Sequence, residues 1–444
     1  MILKYILLIV LFSVGMAKAD PRSAIEDTPC GQEVIVKNGT YTYNRSITRN
    51  RACVEPVIVK AESIHGVHII VTQGKTLGLG TLTGNTLNFT LEGFVISGSS
   101  GDYVVQIDGG KNVTLRNNKI YTNQVKDIVK INSGSDYALL ENNEIYNTSF
   151  SSCSTCNADG IDITGSDHVV IRNNHIHHIP GWGAYAKKGS KFNIIENNLI
   201  HDINKGGIGL GESSVVYDSI ARNNLLYNIG MACLQASGAK DSTFENNTCL
   251  NGSTKSTWGG LRIVRAENTN NAKAGDNRYS YNVKAIGNTF VIDAERCLNV
   301  SDSAFLGDGI AQFTTAENTW WGCSQFRFKG EDRLDRFQAR TLGLGQEQEK
   351  GSVIIDPGLT VADLRQQFFG CPCWESLTLS PDVCLDSPIT LVMNKNVTEV
   401  AWVGEFNFGD RIRKVCRYWS EANDVMLDST AQCVVDIQQR CKGE

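Results

Sequence analysis

Between Asn112 and Asn251 the chain alternates apolar and polar positions in six short, nearly identical words. They read LRNNKIYTN from Leu115, LENNEIYNT from Leu140, IRNNHIHHI from Ile171, IENNLIHDI from Ile195, ARNNLLYNI from Ala221 and FENNTCLNG from Phe244. The second Asn of each pair falls at Asn118, Asn143, Asn174, Asn198, Asn224 and Asn247, with gaps of 25, 31, 24, 26 and 23 residues. Three positions before it stands Leu115, Leu140, Ile171, Ile195, Ala221 or Phe244. Two positions after it stands Ile120, Ile145, Ile176, Ile200, Leu226 or Cys249. These apolar columns are separated by polar ones with a period of two, so each word predicts strand, turn, strand and not helix. A further strand follows in each repeat, as at Ile161-Asp162-Ile163 and Ile208-Gly209-Leu210.

Short strands with Gly and Asn corners, repeated at this period without a helical segment, predict an all-β solenoid, a single-stranded parallel β-helix. Two further columns fit that stacking. Arg116, Glu141, Arg172, Glu196, Arg222 and Glu245 alternate in charge from coil to coil. At about 4.8 Å between coils, each Arg should stand between two carboxylates. Tyr121, Tyr146, His177, His201 and Tyr227 form an aromatic column. The paired Asn residues suit the corner, since Asn tolerates left-handed backbone and its amide can bond to copies above and below. Both columns are read as architecture; exposed ion pairs are individually weak, so the charge column is expected to set register more than stability.

Outside the repeats the chain divides as follows. Residues 1–19 hold a positive start at Lys4, an apolar run too short to span a bilayer, and the small-x-small site Ala17-Lys18-Ala19, the pattern of a secretory signal peptide. Residues 20–60 are expected to form an N-terminal cap and first coils, closed by a Cys30–Cys53 disulfide. The β-helix is expected over 61–368, with Gly93 one period before Asn118 and taking the Asn place. Residues 369–444 carry six Cys and are expected to form a small Cys-rich C-terminal module.

Composition adds the compartment. Fourteen Cys and nine Asn-x-Ser/Thr sequons agree with a secreted, extracellular glycoprotein. The Cys153-Ser-Thr-Cys156 pair lacks a second half-site for zinc and is expected to be disulfide-bonded. Net charge is −5, which argues against nucleic acid and against a broad polybasic surface. An acidic polysaccharide could still bind, through local Lys and Arg or a bridging metal. No segment beyond the leader is long enough to span a membrane, and a monomer is expected.

Candidate chemistry comes from laying the later strand of successive coils side by side: NADGIDITGS (Asn157–Ser166), GWGAYAKKGS (Gly181–Ser190), GGIGLGES (Gly206–Ser213), ACLQASGA (Ala232–Ala239) and GGLRIVRAE (Gly259–Glu267). Asp159, Asp162, Lys187 or Lys188, Glu212, Gln235, Arg262 and Arg265 are expected to share one outward patch, with Trp182 and Tyr185 available to a substrate. Strict alternation would point Lys188 outward, and Lys187 is carried beside it. Asp159, Asp162 and Glu212 offer the oxygen ligands of a calcium site; turn hydrogen bonding is the competing role for the two Asp. His175, His177 and His178 crowd one corner, but His177 belongs to the aromatic column and no carboxylate or Cys follows at ligand spacing, so a metal site is set aside there.

The xNNxI words, the AENTWWGC corner (Ala316–Cys323) and the late IIDPGL (Ile354–Leu359) resemble the pectin-lyase-like right-handed parallel β-helix superfamily. That resemblance implies a right-handed coil and a carbohydrate-active protein. Its polygalacturonase branch carries Asn-Thr-Asp-Gly, Asp-Asp, Gly-His-Gly and Arg-Ile-Lys on successive coils. Here Asn157-Ala158-Asp159-Gly160 and Arg262-Ile263-Val264 stand at the first and last places, but Gly181-Trp182 and Gly206-Gly207-Ile208 fill the middle two. Inverting hydrolysis needs both an acid and a water-activating carboxylate, so that mechanism is excluded. What the resemblance implies instead is β-elimination from a uronic-acid polymer, with a Lys or Arg base and with Ca2+ or basic side chains holding the carboxylate. Lys187 stands where similar proteins have Lys before Gly-Gly-Ser, and Arg262 or Arg265 nearby would help to lower the pKa of a lysine base. The alternative is a non-catalytic cell-surface or matrix protein that binds glycans along its aromatic and Asn-rich faces.

Overall fold

In the computed structural model the described residues are 20–80, 86–98, 102–122, 126–132, 134–149, 158–211, 214–266, 278–292, 294–305, 310–369, 389–393 and 396–400. The expected leader, Cys153, Cys156, Glu212 and the six cysteines beyond residue 369 lie outside them.

Three long sheets make the molecule. The first runs from Glu33–Val36 to Phe313–Ala316 in eleven strands, the second from Gly39–Tyr43 to Val353–Ile354 in twelve, and the third from Ile47–Arg49 to Glu331–Asp332 in twelve. Each coil contributes one strand to each sheet, and neighbours in a sheet are successive coils in parallel register. The last strand of the third sheet is antiparallel to Gln325–Arg327. Each sequence word is therefore a first-sheet strand, a corner and a second-sheet strand. The architecture is an all-β parallel β-helix.

The corner explains the Asn pair. The first Asn of each word, from Asn117 to Asn246, has φ between 54° and 56°, left-handed backbone that Asn accepts more readily than most residues. The second turns inward and is buried. The Asn198 backbone N–H donates to Asn224 Oδ1 at 3.0 Å, and its Nδ2 donates to the same oxygen at 2.9 Å and to the Ile171 carbonyl at 3.0 Å. The pattern repeats from Asn118 to Asn318. It begins with Phe94 N–H donating to Asn118 Oδ1 and ends on Ser352 and the buried Glu349. Gly93 corrects the sequence reading. Glu92 pairs with Arg116, so Gly93 (φ 82°) takes the place of the first, left-handed Asn, and Phe94 takes the ladder position.

The expected inward columns are buried, from Leu115 and Ile120 to Phe244 and Cys249. The charge column keeps its register, but its pairing is less symmetric than expected. Arg116 meets Glu92 at 2.8 Å and Arg172 meets Glu141 at 2.7 Å, while Arg222 reaches both Glu196 (2.7 Å) and Glu245 (3.8 Å).

The ends are plugged. A helix, Pro21–Asp27, buries Ala24 and Ile25, and Asp20 accepts from Ser23 N–H as its cap. Arg49, fully buried beneath it, donates to the Ile25 and Thr28 carbonyls. At the far end Trp320 stacks on Phe290 at 4.3 Å and the helix Leu334–Gly343 buries Phe337. Disulfides join Cys30 to Cys53, Cys233 to Cys249 and Cys297 to Cys323. A further helix, Val361–Phe369, lays Leu364 and Phe368 on Leu199, Leu225, Tyr227 and Leu250 of the second sheet. Among the described residues no helix is long and apolar enough to cross a membrane. Two expected sequons, Asn147 and Asn299, have buried side chains.

Candidate active site on the third sheet

The third sheet packs its inward residues, such as Ile161, Ile163, Ala184 and Ala186, into the core, leaving Asp162, Tyr185 and Lys187 on the outer side. Register aligns Gln106, Lys130, Asp162, Tyr185, Gly209, Gln235 and Arg262 in one outward column. Asp127 and Asp159 lie just before their strands.

Five of the expected residues meet here, Trp182 through its backbone N–H only. Lys187 Nζ stands 3.1 Å from Asp162 and donates to the Tyr185 hydroxyl at 2.8 Å. That hydroxyl donates to Asp159 Oδ2 at 3.1 Å, and Asp159 Oδ1 accepts from the Trp182 N–H at 2.6 Å. Thr164 donates to Asp162 Oδ1 at 2.8 Å. Two more residues, absent from the sequence reading, complete the cluster. Lys130 pairs with Asp162 and lies 3.5 Å from Asp127. Asp127 in turn accepts from Asp159 N–H at 3.2 Å. Their signal was in the sequence. Asp127 and Lys130 stand three residues apart on the coil before Asp159 and Asp162, but the polygalacturonase comparison begins one coil later.

Burial raises all three carboxyls, and the two lysines split them. Asp127 is pushed up to about 8, first by burial and then by the charges of Asp159 and Asp162. Asp159 is likewise raised by burial, against the opposing Trp182 N–H. Burial pushes Asp162 up as well, but Lys187 and Lys130 together outweigh it and hold the carboxyl below its ordinary range. Tyr185 is raised well above its ordinary value by burial and the surrounding carboxylates, so its hydroxyl keeps its proton.

The remaining expected residues do not join this cluster. Lys188 corrects the phase of the expected alternation, since Ala184 and Ala186 point inward and Tyr185 and Lys187 outward. The strand Ala184–Lys187 ends before it, and Lys188 sits in a left-handed corner at φ 56°, so Lys187 is the residue that turns onto the face. Gln235 accepts from Arg262 at 2.9 Å, and that guanidinium lies 3.7 Å over Trp258. Arg262 stands four strands from Asp162, about 19 Å at about 4.8 Å per rung, so the single patch is in fact two. Arg265 follows the end of its strand and is exposed. Trp182 is buried rather than offered to a ligand. A Cβ at Gly206 would overlap its indole, and one at Gly209 would meet it at 3.5 Å. Tyr185 is 1% exposed. Lys187, with 14% of its side chain exposed, is the edge at which the cluster meets solvent. An open hollow of about 530 Å³ between Glu295, Trp321 and Ile354 lies near the far end of the coil, away from this chemistry.

The three carboxyls approach closely enough for one cation, with ligand oxygens within 4.8 Å of one another. Two ammonium groups already stand among them. Lys130 in particular bridges the Asp127 and Asp162 oxygens that an ion would use.

Comparison with known proteins places the coil. The right handed beta helix region model matches residues 59–215, 103–257 and 159–325. The fold is similar to the mannuronan C-5 epimerase AlgE4 A-module of Azotobacter vinelandii, with 13% identity, 65% of this chain and 83% of that chain covered, and a TM-score of 0.45. It is similar to the pectate lyase Pel9A at 16% identity, 65% and 72% coverage and a TM-score of 0.42. An alginate lyase from Paenibacillus shares 15% identity over 70% of this chain and 93% of its own, with a TM-score of 0.42. No curated protein sequence matches the chain.

Proposed function

This chain belongs to the right-handed β-helix family, and from that premise we propose that it is a secreted carbohydrate-active protein, a polysaccharide lyase that cleaves a uronic-acid polymer by β-elimination. The observation that carries the reading is Lys187 at the solvent edge of a buried carboxyl–tyrosine–lysine cluster, in contact with Tyr185 and Asp162. In such a reaction a base removes the proton on the carbon next to the uronate carboxylate. The bond from the adjacent carbon to the glycosidic oxygen then breaks, a carbon–carbon double bond forms, and the departing oxygen takes up a proton. Lys187 is the base in this reading and acts as the neutral amine; Lys130 supplies the positive charge that an acidic sugar needs. Arg262 and Gln235 would hold the polymer further along the same face.

Calcium at Asp159 and Asp162 competes with those lysines. The ion takes six to eight oxygen ligands, whereas Tyr185, Trp182 and two ammonium groups already occupy the carboxyl oxygens here. We therefore expect turnover to survive chelation.

A second reading rests on the same ion pair. Lys130 and Lys187 keep Asp162 ionised, and an ammonium held against a carboxylate is suited to binding anions rather than to taking up a proton. That favours a non-catalytic acidic-glycan binder. Incubation with pectate, alginate and glycosaminoglycans, with and without chelator, separates the two by the ultraviolet absorbance of unsaturated product. The lyase reading expects product that Lys187→Ala abolishes and Lys188→Ala leaves within about twofold, as befits an exposed corner residue. Binding to these polymers without product would sink it.

A further inference from the structure

The second sheet carries a separate cluster on its outer face. His175 and His177 stand two apart on the strand His175–Ile179, so both point outward, and His201 pairs with His177 in register on the next coil. His175 Nε2 lies 2.7 Å from His201 Nε2. One ring nitrogen from each of the three can be chosen so that all fall within 4.8 Å of one another. We propose that these three imidazoles bind one divalent transition-metal ion of the zinc class.

The arrangement has the two parts such a site needs. Imidazole nitrogens bind zinc at about 2.0–2.1 Å, which at tetrahedral angles sets ligands roughly 3.3 Å apart; the His175–His201 pair at 2.7 Å has to open slightly to reach that spacing, and the third nitrogen lies within 4.8 Å of both. The supporting groups are also placed. His201 Nδ1 donates to Asp202 Oδ2 at 2.7 Å, which leaves its Nε2 lone pair facing His175, and Asp202 is itself held by Asn228 Nδ2 at 2.9 Å. His177 Nε2 meets Glu144 at 3.2 Å, which leaves Nδ1 as its ligand atom; Nδ1 lies 2.7 Å from His178 Nδ1, so metal binding requires the half-exposed His178 ring to turn aside. A carboxylate behind a ligating histidine fixes its tautomer and raises its basicity. Without an ion, the His175–His201 contact is an N–H···N hydrogen bond. With one, the shared proton resides on His175 Nδ1 and both Nε2 lone pairs face the metal, so no proton is lost. Burial lowers His175 and His201, so both are neutral, as ligands must be, near pH 7.

The fold does not require histidine at these places. The stack that holds His177 and His201 uses Tyr121, Tyr146 and Tyr227 on other coils. The row that holds His175 continues with Leu199 and Leu225. The helix Val361–Phe369 closes one side, with Phe368 6.4 Å from His175 and Arg365 nearby, while the half-exposed His178 stands at the rim. From the sequence alone a metal is not expected here, because His177 belongs to the aromatic column and no carboxylate or Cys follows at ligand spacing. Along the coil axis, the carboxylates come instead from Glu144 and Asp202.

The full-length protein, stripped with chelator and dialysed against zinc, tests this by counting bound metal. Cobalt(II) in place of zinc should give visible bands of nitrogen and oxygen ligation without thiolate charge transfer, which distinguishes the site from cysteine ligation. One zinc per chain is expected. His177→Tyr with His201→Tyr should remove it while keeping a ring in each stacking position. His175→Leu should weaken binding by at least ~10-fold, as should Asp202→Asn, whereas Asp159→Asn should retain the metal. A parent that binds no zinc overturns the proposal. So does an unchanged count in the double variant, or, should that variant not fold, unchanged affinity in His175→Leu.

Discussion

Asn198 shows how one residue type serves two neighbours at once. Its side-chain oxygen accepts from the Asn174 backbone and amide, and its own amide donates to Asn224 and to Ile171. Asn198→Ala would leave buried polar groups of two coils without these partners, at a cost of about 3 kcal/mol, measured by denaturant unfolding. Asn198→Asp should do no better, because a carboxylate has no amide proton for Ile171. Asp127 makes the opposite case, a buried carboxyl that the fold keeps protonated. Its folded value of about 8 lies far above the ordinary 3.8, so the native state holds a proton that the unfolded chain has released. The resulting stability is present in full below the ordinary value and is lost as pH rises through about 8. Melting temperatures measured from mildly acidic to alkaline pH should fall less in Asp127→Asn than in the parent. At this scale the sequence was partly legible. The Asn pair announced its corner because left-handed backbone restricts residue choice, whereas Asp127 and Lys130 look like ordinary surface charges until the coil is closed.

Elements were the most legible scale, because inward and outward positions alternate strictly in a strand whose two faces meet such different surroundings. The words from Leu115 to Asn251 predict strand, corner and strand, and the chain forms them. Reading failed where strands end. Alternation from inward Ala184 and Ala186 puts Lys187 outward, and the expectation of Lys188 fails because its phase is one residue off and the corner begins after Lys187. The strand His175–Ile179 also carries a pH consequence. Burial holds His175 well below its ordinary value and His201 down at about 4, whereas unfolded histidines titrate near 6.5. The unfolded chain therefore takes up protons that the native state refuses. The associated stability is present above the unfolded value and is lost as pH falls from there through about 4. Thermal melts of the metal-free protein across that window should show a steeper acid loss than those of His175→Leu with His201→Tyr.

For the whole molecule, each coil finds its partners in the coils beside it, and the two terminal faces of the core need covers. Cys30–Cys53 and the cap at Pro21–Asp27 supply one, and Trp320, Phe337 and Cys297–Cys323 supply the other. Trp320→Ala removes a fully buried ring stacked on Phe290 and should cost about 4 kcal/mol. Limited proteolysis should then cut first near the C-terminal coils; cleavage starting at the N-terminal cap would contradict this view of the end. The coil was legible from one repeated word, since a period shared by six copies overrides local ambiguity. The candidate site was less so. Its groups come from three successive coils whose lengths differ, and sequence distance reveals nothing of how close Lys130 stands to Lys187.

The amide ladder hands each oxygen in the same direction along the axis, from Asn118 to Asn318. Any two rungs therefore present the same donor and acceptor pair, whatever lies between them. Excising residues 199–224, one turn of 26 residues from Asn198 to Asn224, would bring Asn198 against Asn247 with every donor still opposite an acceptor. Such a protein can lengthen or shorten by whole turns without redesigning its interior, and its length along the coil axis becomes a quantity that gene duplication can adjust in steps.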